Sequence, residues 1–389
     1  MHIHDVLTPA AVVDLERVER NIASMAEFAT KNGVNLRPHV KTHKCSEIAR
    51  IQKKYGCNGI TVATLGEALA FAEAGFDDLT LAKPFVLGKE KESIKLAKKV
   101  SLNLLVDHPQ TVKRLQKAAR EEKITLKVLL KVDCGYHRCG VDPSRPESIR
   151  VAESIDNADN LVFEGILTHG GHSYGAMSAS EIQRIAKKEQ DVMIRFARDL
   201  GKARHYLKPK TVSIGSTPTM TQTREIKDGI TEIRPGNYVF FDYTQAILGS
   251  CDINDIALSV MSTIIGVYEG RVVVDAGATA LSKDQGPVHV APECGYGKVI
   301  ESYEKSELDD KASIQSLSQE HGKIRLQKGS ALQSLEPGSK IRIVPNHSCL
   351  VANLFNHYHV SEKGEITQKW KIHRERLSDS PFHSEAHEC

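Results

Sequence analysis

Between residues 35 and 236 the chain repeats one unit eight times: a short apolar run ending on a polar residue or glycine, then a segment of helical periodicity. The runs span residues 36–41, 59–64, 78–83, 102–107, 125–133, 161–169, 211–215 and 230–234. Parallel strands cannot be joined by a tight hairpin; each needs a crossover, usually a helix. Eight strand–helix units in a row predict a closed parallel (β/α)8 barrel. A doubly wound open sheet satisfies the same count, because counting does not prove closure.

The connecting segments support the rhythm. Residues 65–75 and 178–201 keep their apolar positions on one stripe. The second opens with Ser178 and Glu181 in capping-box spacing. Residues 16–33 read as a helix ahead of the first barrel strand. After about residue 245 the pattern changes to β-rich runs separated by glycine-containing turns, with few helices. The expected division is a barrel over 13–245 and a mainly antiparallel β domain over 246–389. The run 8–15 reads as a strand with no place in the barrel, and the N-terminal strand within 1–12 is assigned to the β domain.

A chain of 389 residues has room for a barrel and a partner domain. Its net charge of +3, with acids and bases interspersed, argues against a nucleic-acid protein. No run approaches the roughly 18 apolar residues of a membrane span, and the N-terminus lacks a signal-like apolar run. The eight cysteines form no CxxC pair and read as reduced thiols of a cytoplasmic protein. The polar tail 378–389 reads as frayed.

Chemistry in such barrels sits where strands end. The first strand end carries His39, Lys41 and His43; the fifth carries Asp133, His137 and Arg138. The sixth carries His169, His172 and Tyr174; the seventh Ser216 and Thr217; the eighth Arg234, Gly236 and Asn237. Lys41 ends an otherwise apolar run with His39 two residues before it, on the same strand face. Desolvation there lowers a lysine pKa and makes an imine-forming nucleophile. A solvated lysine just past a strand fits the position equally well, and Lys44 is a rival. The motifs SIGSTPT (213–219) and RPGNY (234–238) offer hydroxyl and backbone donors where barrels often hold phosphate. Ordinary turns are the alternative. In the β-rich part, His347 and Cys349 stand at i and i+2; on a strand they would face one way and could share a metal, with sulfur favouring zinc. A buried cysteine beside an incidental histidine is the alternative. His172 and Tyr174 have the same spacing in a loop.

Taken in order, several segments resemble the D-serine dehydratase and D-threonine aldolase family, of the alanine-racemase-like fold-type-III pyridoxal-phosphate enzymes. They are LRPHVKTHK (36–44), VATLGEA (62–68), DCGYHRCG (133–140), THGGHSY (168–174), SIGSTPT (213–219), EIRPGNYVF (232–240), LSQEHG (317–322) and PNHSC (345–349). The resemblance implies that Lys41 is the Schiff-base lysine. It matches Arg138 to the contact for the cofactor's phenolic oxygen, His169 to the ring-packing histidine and Tyr174 to a cofactor neighbour. Ser216, Thr217, Gly236 and Asn237 fall where the family binds phosphate. His347 and Cys349 match the metal pair of the dehydratases, with zinc expected and manganese the alternative. The aldolase branch more often has aspartate in place of that cysteine. The implied activity is metal-dependent elimination of water from a β-hydroxy D-amino acid, giving a keto acid and ammonia, with Lys41, His172 and Tyr174 as catalytic candidates. Retro-aldol cleavage to glycine and an aldehyde is the runner-up. A non-catalytic pyridoxal-phosphate carrier and a metal-dependent barrel hydrolase without the cofactor are the rivals. D-serine, D-threonine and 3-hydroxyaspartate are all open as substrates. The family also implies a homodimer.

Overall fold

A computed structural model describes residues 1–374; the frayed tail expected at 378–389 lies outside the described residues. The chain enters through strand β1 (Ala10–Asp14) and passes directly into helix α1 (Leu15–Lys31). Asp14 caps α1 by accepting from Arg17 N at 2.9 Å. Val18, Ile22, Met25, Ala26 and Ala29, spaced at helical period, are its buried stripe.

Eight parallel strands follow: β2 (Asn35–Leu36), β3 (Ile60–Val62), β4 (Asp78–Pro84), β5 (Ser101–Val106), β6 (Leu126–Lys131), β7 (Leu161–Leu167), β8 (Thr211–Ile214) and β9 (Glu232–Ile233). Helices α2 (Ser46–Lys54), α3 (Leu65–Glu73), α4 (Glu90–Ala97), α5 (Pro109–Glu121), α6 (Pro146–Asp156), α7 (Ala179–Ala203) and the short α8 (Thr217–Thr221) connect them. The strand order is β2-β9-β8-β7-β6-β5-β4-β3. The seam between β2 and β3 is joined by a parallel bridge between His39 and Thr61 and by Thr61 N donating to Pro38 O at 2.9 Å. The sheet is therefore a barrel and not an open doubly wound sheet. Arg37 braces the seam, reaching Glu232 at 2.7 Å and Asp78 at 2.9 Å.

The first strand is shorter than the apolar run 36–41 suggests. Pro38 brings no N–H to a ladder, and the chain turns into a 3₁₀ turn, Val40–Thr42. His39 and Lys41 thus do not share a strand face; His39 caps the turn with Nδ1 toward Lys41 N. In α7 the capping expectation holds in altered form. Ser178 Oγ accepts from Glu181 N, but the Glu181 carboxylate takes Met177 N instead of Ser178 N.

The second sheet contains β10 (Leu258–Tyr268), β11 (Arg271–Val274), β12 (Lys298–Ser302), β13 (Glu307–Leu317), β14 (Gly322–Leu326), β15 (Lys340–Val344), β16 (His357–Glu362) and β17 (Glu365–Lys371). Strands β10, β11, β14, β13, β12 and β15 close into an antiparallel ring. β1 lies antiparallel to β10 and parallel to β16, so this strand pairs within the second sheet. One apolar cluster runs from Ile22 and Ile214 through Phe240 to Val260 and Ile343, packing the two sheets' elements together. His347 and Cys349 do not lie on a strand: His347 is the N-cap of a short helix, Ser348–Ala352.

Candidate active site

A cavity of about 1020 Å³ opens at the C-terminal ends of the barrel strands and is bounded across its mouth by residues 347–353. Lys41, Arg138, His169, Tyr174, Ser216, Thr217, Gly236, Asn237, His347 and Cys349 all line it. His172 is absent from that lining; it stacks on Tyr136, which does line the cavity, with ring centroids 6.0 Å apart.

Each group is held by the elements that meet there. The Lys41 turn packs against the loop after β9, where a Cβ on Gly236 would stand 2.8 Å from His39 O and 3.0 Å from His39 Cβ. Only a residue without a side chain permits that approach. The loop after β6 is shaped by Asp133, whose Oδ1 accepts from the backbone N–H of Gly135, Tyr136 and His137 at 2.9–3.0 Å. Arg138 lies over the Tyr136 ring, 5.0 Å from its centroid. His169 Nδ1 is 3.2 Å from Gly215 O. Burial, reinforced by the Lys41, Lys131 and Arg138 charges, holds the His169 imidazole well below its usual pKa, so it is neutral at pH 7. Tyr174 sits in the 3₁₀ turn Gly171–Gly175, and burial drives its phenol far above the ordinary value.

At the seventh strand, Ser216 caps α8: Thr219 N donates to Ser216 Oγ at 3.4 Å and Ser216 N to Thr219 Oγ1 at 2.9 Å. Thr217 Oγ1 accepts from Tyr238 N at 3.1 Å, joining this loop to the one after β9.

His347 Nδ1 is 3.2 Å from Asp284 Oδ2. Burial opposes the imidazolium, yet Asp284 and Cys349 outweigh it and raise the His347 pKa to about 11. Burial pushes the Cys349 thiol up, but His347, Lys41 and Thr42 bring it below its usual value. Cys349 Sγ is 3.3 Å from Thr42 Oγ1, one residue beyond Lys41. Among the described residues no group of three or more His, Cys, Asp or Glu side chains forms a metal cage.

Several site residues went unforeseen. Glu189 is fully buried, and its Oε1 accepts from Gly170 N at 2.7 Å and Gly215 N at 3.1 Å, clamping the loops after β7 and β8. Its signal was present: an acid on the α7 stripe formed by Ile182, Ile185, Ala186 and Met193. Lys131 ends β6 inside the cavity, and burial, followed by the Arg234 charge, lowers its pKa to about 8. Arg234, expected at the eighth strand end, is buried among Thr168 O, Ser213 Oγ and Ile214 O, and burial lowers its pKa to about 10. Asp284 and Tyr136 carried no signal in spacing.

The residues fit pyridoxal phosphate. Six Lys and Arg side chains line the cavity (Lys41, Lys44, Lys83, Lys131, Arg138, Arg234) against two carboxylates (Glu67, Asp284), a field suited to an anionic group. An amine, a neutral imidazole and the hydroxyl-rich first turn of α8 supply the other contacts. The volume admits a cofactor together with an amino acid.

Comparison with known proteins agrees with this geometry. Residues 13–244 match the family model described as alanine racemase, N-terminal domain, and residues 257–361 match a serine dehydratase domain. The chain is similar to D-serine dehydratase of Dictyostelium discoideum, 37% identical over 378 residues, covering 92% of this chain and 94% of that one. It is similar to D-threo-3-hydroxyaspartate dehydratase of Delftia sp. strain HT23, 34% identical over 372 residues, covering 94% and 96%. D-threonine aldolase of Arthrobacter sp. is 26% identical over 377 residues, covering 94% and 92%. The solved Delftia dehydratase superposes with a TM-score of 0.90 at 32% identity, covering 95% of this chain and 98% of that one. Alanine racemase of Clostridium difficile, 14% identical at a TM-score of 0.68, shares the fold alone. The chain belongs to the D-serine dehydratase and D-threonine aldolase family of alanine-racemase-like pyridoxal-phosphate enzymes, lyases that act on β-hydroxy D-amino acids.

Proposed function

We propose that this lyase is a metal-assisted dehydratase. It breaks the Cα–H and Cβ–OH bonds of D-serine or a close β-hydroxy D-amino acid, releases water, and yields a keto acid and ammonia after hydrolysis. The observation that carries the reading is the meeting of the Lys41 turn with the His347–Cys349 segment across one cavity, with Thr42 Oγ1 3.3 Å from Cys349 Sγ. Pyridoxal phosphate, when bound, supplies the electron sink for charge developing at Cα. A divalent metal on His347 and Cys349 supplies a Lewis acid for the departing hydroxyl, zinc by the softness of sulfur and manganese as the alternative.

The chain's own groups do the rest. Lys41 Nζ is the base for the Cα proton. Ser216, Thr217, Gly236 and Asn237 would hold the phosphate, Arg138 the phenolic oxygen, and neutral His169 the ring. Tyr174, buried beside Thr217 and within the field of Cys349, would keep water from the bound cofactor. Asp284, on His347 Nδ1, fixes the orientation of the ring, which would leave Nε2 to hold a metal. His172, outside the lining, holds Tyr136 in place and leaves proton transfer to Lys41.

Two features favour dehydratase over aldolase. The dehydratases quoted above are 37% and 34% identical, against 26% for the aldolase. Position 349 carries cysteine instead of aspartate. The metal has support in two solved variants of a D-threo-3-hydroxyaspartate dehydratase, each 32% identical to this chain. One replaces a cysteine with alanine and is in the metal-free form; the other replaces a histidine two positions earlier, the spacing of His347 and Cys349.

The reading includes a cytoplasmic homodimer. Its support is the family resemblance, together with seven described cysteines that are all free thiols. Among the described residues no helix is long and apolar enough to cross a membrane.

The test is a product assay on D-serine and D-threonine with zinc or manganese. Pyruvate and 2-oxobutyrate are expected; glycine as the main product would make the enzyme an aldolase.

A further inference from the structure

Asp242 stands between the two halves of the site and belongs to neither set of binding residues. It is 1% exposed, and its Oδ1 accepts from Gln245 N at 3.0 Å. Its Oδ2 accepts three bonds: from Asn237 Nδ2 at 2.7 Å, Ser348 N at 2.9 Å and Ser348 Oγ at 3.2 Å. Asn237 Nδ2 also reaches Ser348 Oγ at 3.1 Å and donates to Cys349 Sγ at 3.6 Å. One carboxylate oxygen therefore joins a residue of the phosphate loop to the backbone just before Cys349. Thr42, beside Lys41, closes a second strap on the same sulfur.

This arrangement makes the two binding events interdependent. A phosphate that orders Asn237 also orders the donors around Cys349. A metal that holds Cys349 fixes Ser348 and, through Asp242, Asn237. Ordering by one ligand spares the other that entropy. Hydrogen-bonding partners of metal ligands are worth about 10–100-fold in metal affinity.

We propose that Asp242 is a positioning residue that couples cofactor binding to metal binding, so that each ligand raises the affinity for the other. The inference rests on the site reading given above. Coupling of this kind is reciprocal, and its usual range starts at roughly fivefold.

The experiment measures zinc affinity of the full-length protein by competition with a chromophoric chelator, with and without pyridoxal phosphate. Cofactor affinity is measured in parallel, with and without zinc. Wild type is expected to bind zinc roughly fivefold tighter or more with the cofactor present, with the same ratio in the reverse measurement. Asp242→Asn puts an NH₂ group among four donors. It is expected to bind both ligands with the ratio reduced to about twofold or less. Ser348→Ala, which keeps the backbone bond to Asp242, is expected to give an intermediate ratio.

A wild-type ratio of one overturns the coupling. If zinc is then still lost in His347→Ala and the cofactor in Lys41→Ala, the site reading stands without it. Zinc affinity unchanged in His347→Ala overturns the site reading and the inference together. Undiminished coupling in Asp242→Asn overturns the role of Asp242. Should that variant fail to fold, undiminished coupling in Ser348→Ala does the same.

Discussion

Lys41 and Lys44 lie on one turn, yet their surroundings divide them. Lys44 Nζ is committed to Asn353 Oδ1 at 2.7 Å and Glu67 at 3.4 Å, whereas Lys41 Nζ makes no hydrogen bond or ion pair among the described residues. Lys41→Ala is therefore expected to abolish the yellow absorption and turnover, while Lys44→Ala keeps the colour. A borohydride-reducible adduct surviving in Lys41→Ala would count against the assignment. Lys131 offers a second test. Burial, then Arg234, holds its folded-state pKa near 8, against 10.5 for the free side chain. In the cofactor-free protein this buried charge destabilises the fold fully below pH 8. The penalty fades as pH rises from 8 to 10.5, where the unfolded chain binds the extra proton. Lys131→Met is expected to raise stability by up to roughly 3 kcal/mol below that window and to change little above it. Denaturant unfolding at both ends of the window checks the sign.

At the scale of elements, the site depends on the close approach of two connections. The loop after β9 touches the Lys41 turn through Gly236, whose φ of −128° any residue could adopt. The constraint there is space, because a Cβ would meet His39 O at 2.8 Å. Gly236→Ala is expected to keep the barrel but displace the turn, weakening pyridoxal-phosphate binding by about tenfold or more, as loss of one hydrogen bond to a charged group would. Cofactor titration with circular dichroism as the fold control tests this; wild-type affinity would mean the two loops move independently. By contrast, β2 needs only two residues, because the His39–Thr61 bridge and the Arg37 ion pairs close the seam beyond it.

For the whole molecule, the division of labour follows the division of elements. The barrel supplies Lys41 and the loops after β8 and β9, and the segment after β15 supplies His347 and Cys349. A chelator is expected to remove most β-elimination while leaving the visible cofactor absorption, and Cys349→Ala is expected to behave like the chelated enzyme. The absorption is weakened only to the extent that the two ligands are coupled. D-Serine turnover at the wild-type rate in both preparations would leave the pair as a packing feature.

The amino-acid sequence by itself determined the strand–helix alternation, the change to β-rich runs near residue 245 and the placing of Lys41, His169, Ser216 and Asn237 in the connections that follow barrel strands. Those properties follow from local periodicity and turn chemistry, which neighbouring residues encode. It also marked His347 and Cys349 as a pair, though for the wrong element: the spacing suits a strand, and the two side chains meet at a helix N-terminus. Tertiary structure alone decided closure of the barrel, the short first strand and the exclusion of His172 from the cavity. It alone brought Asp284 to His347 across 63 residues, Asp242 to Ser348 across 106, and Thr42 to Cys349 across 307. Hydrogen bonds of about 3 Å have no period in sequence; they exist only once both sheets have packed and brought distant loops to one cavity.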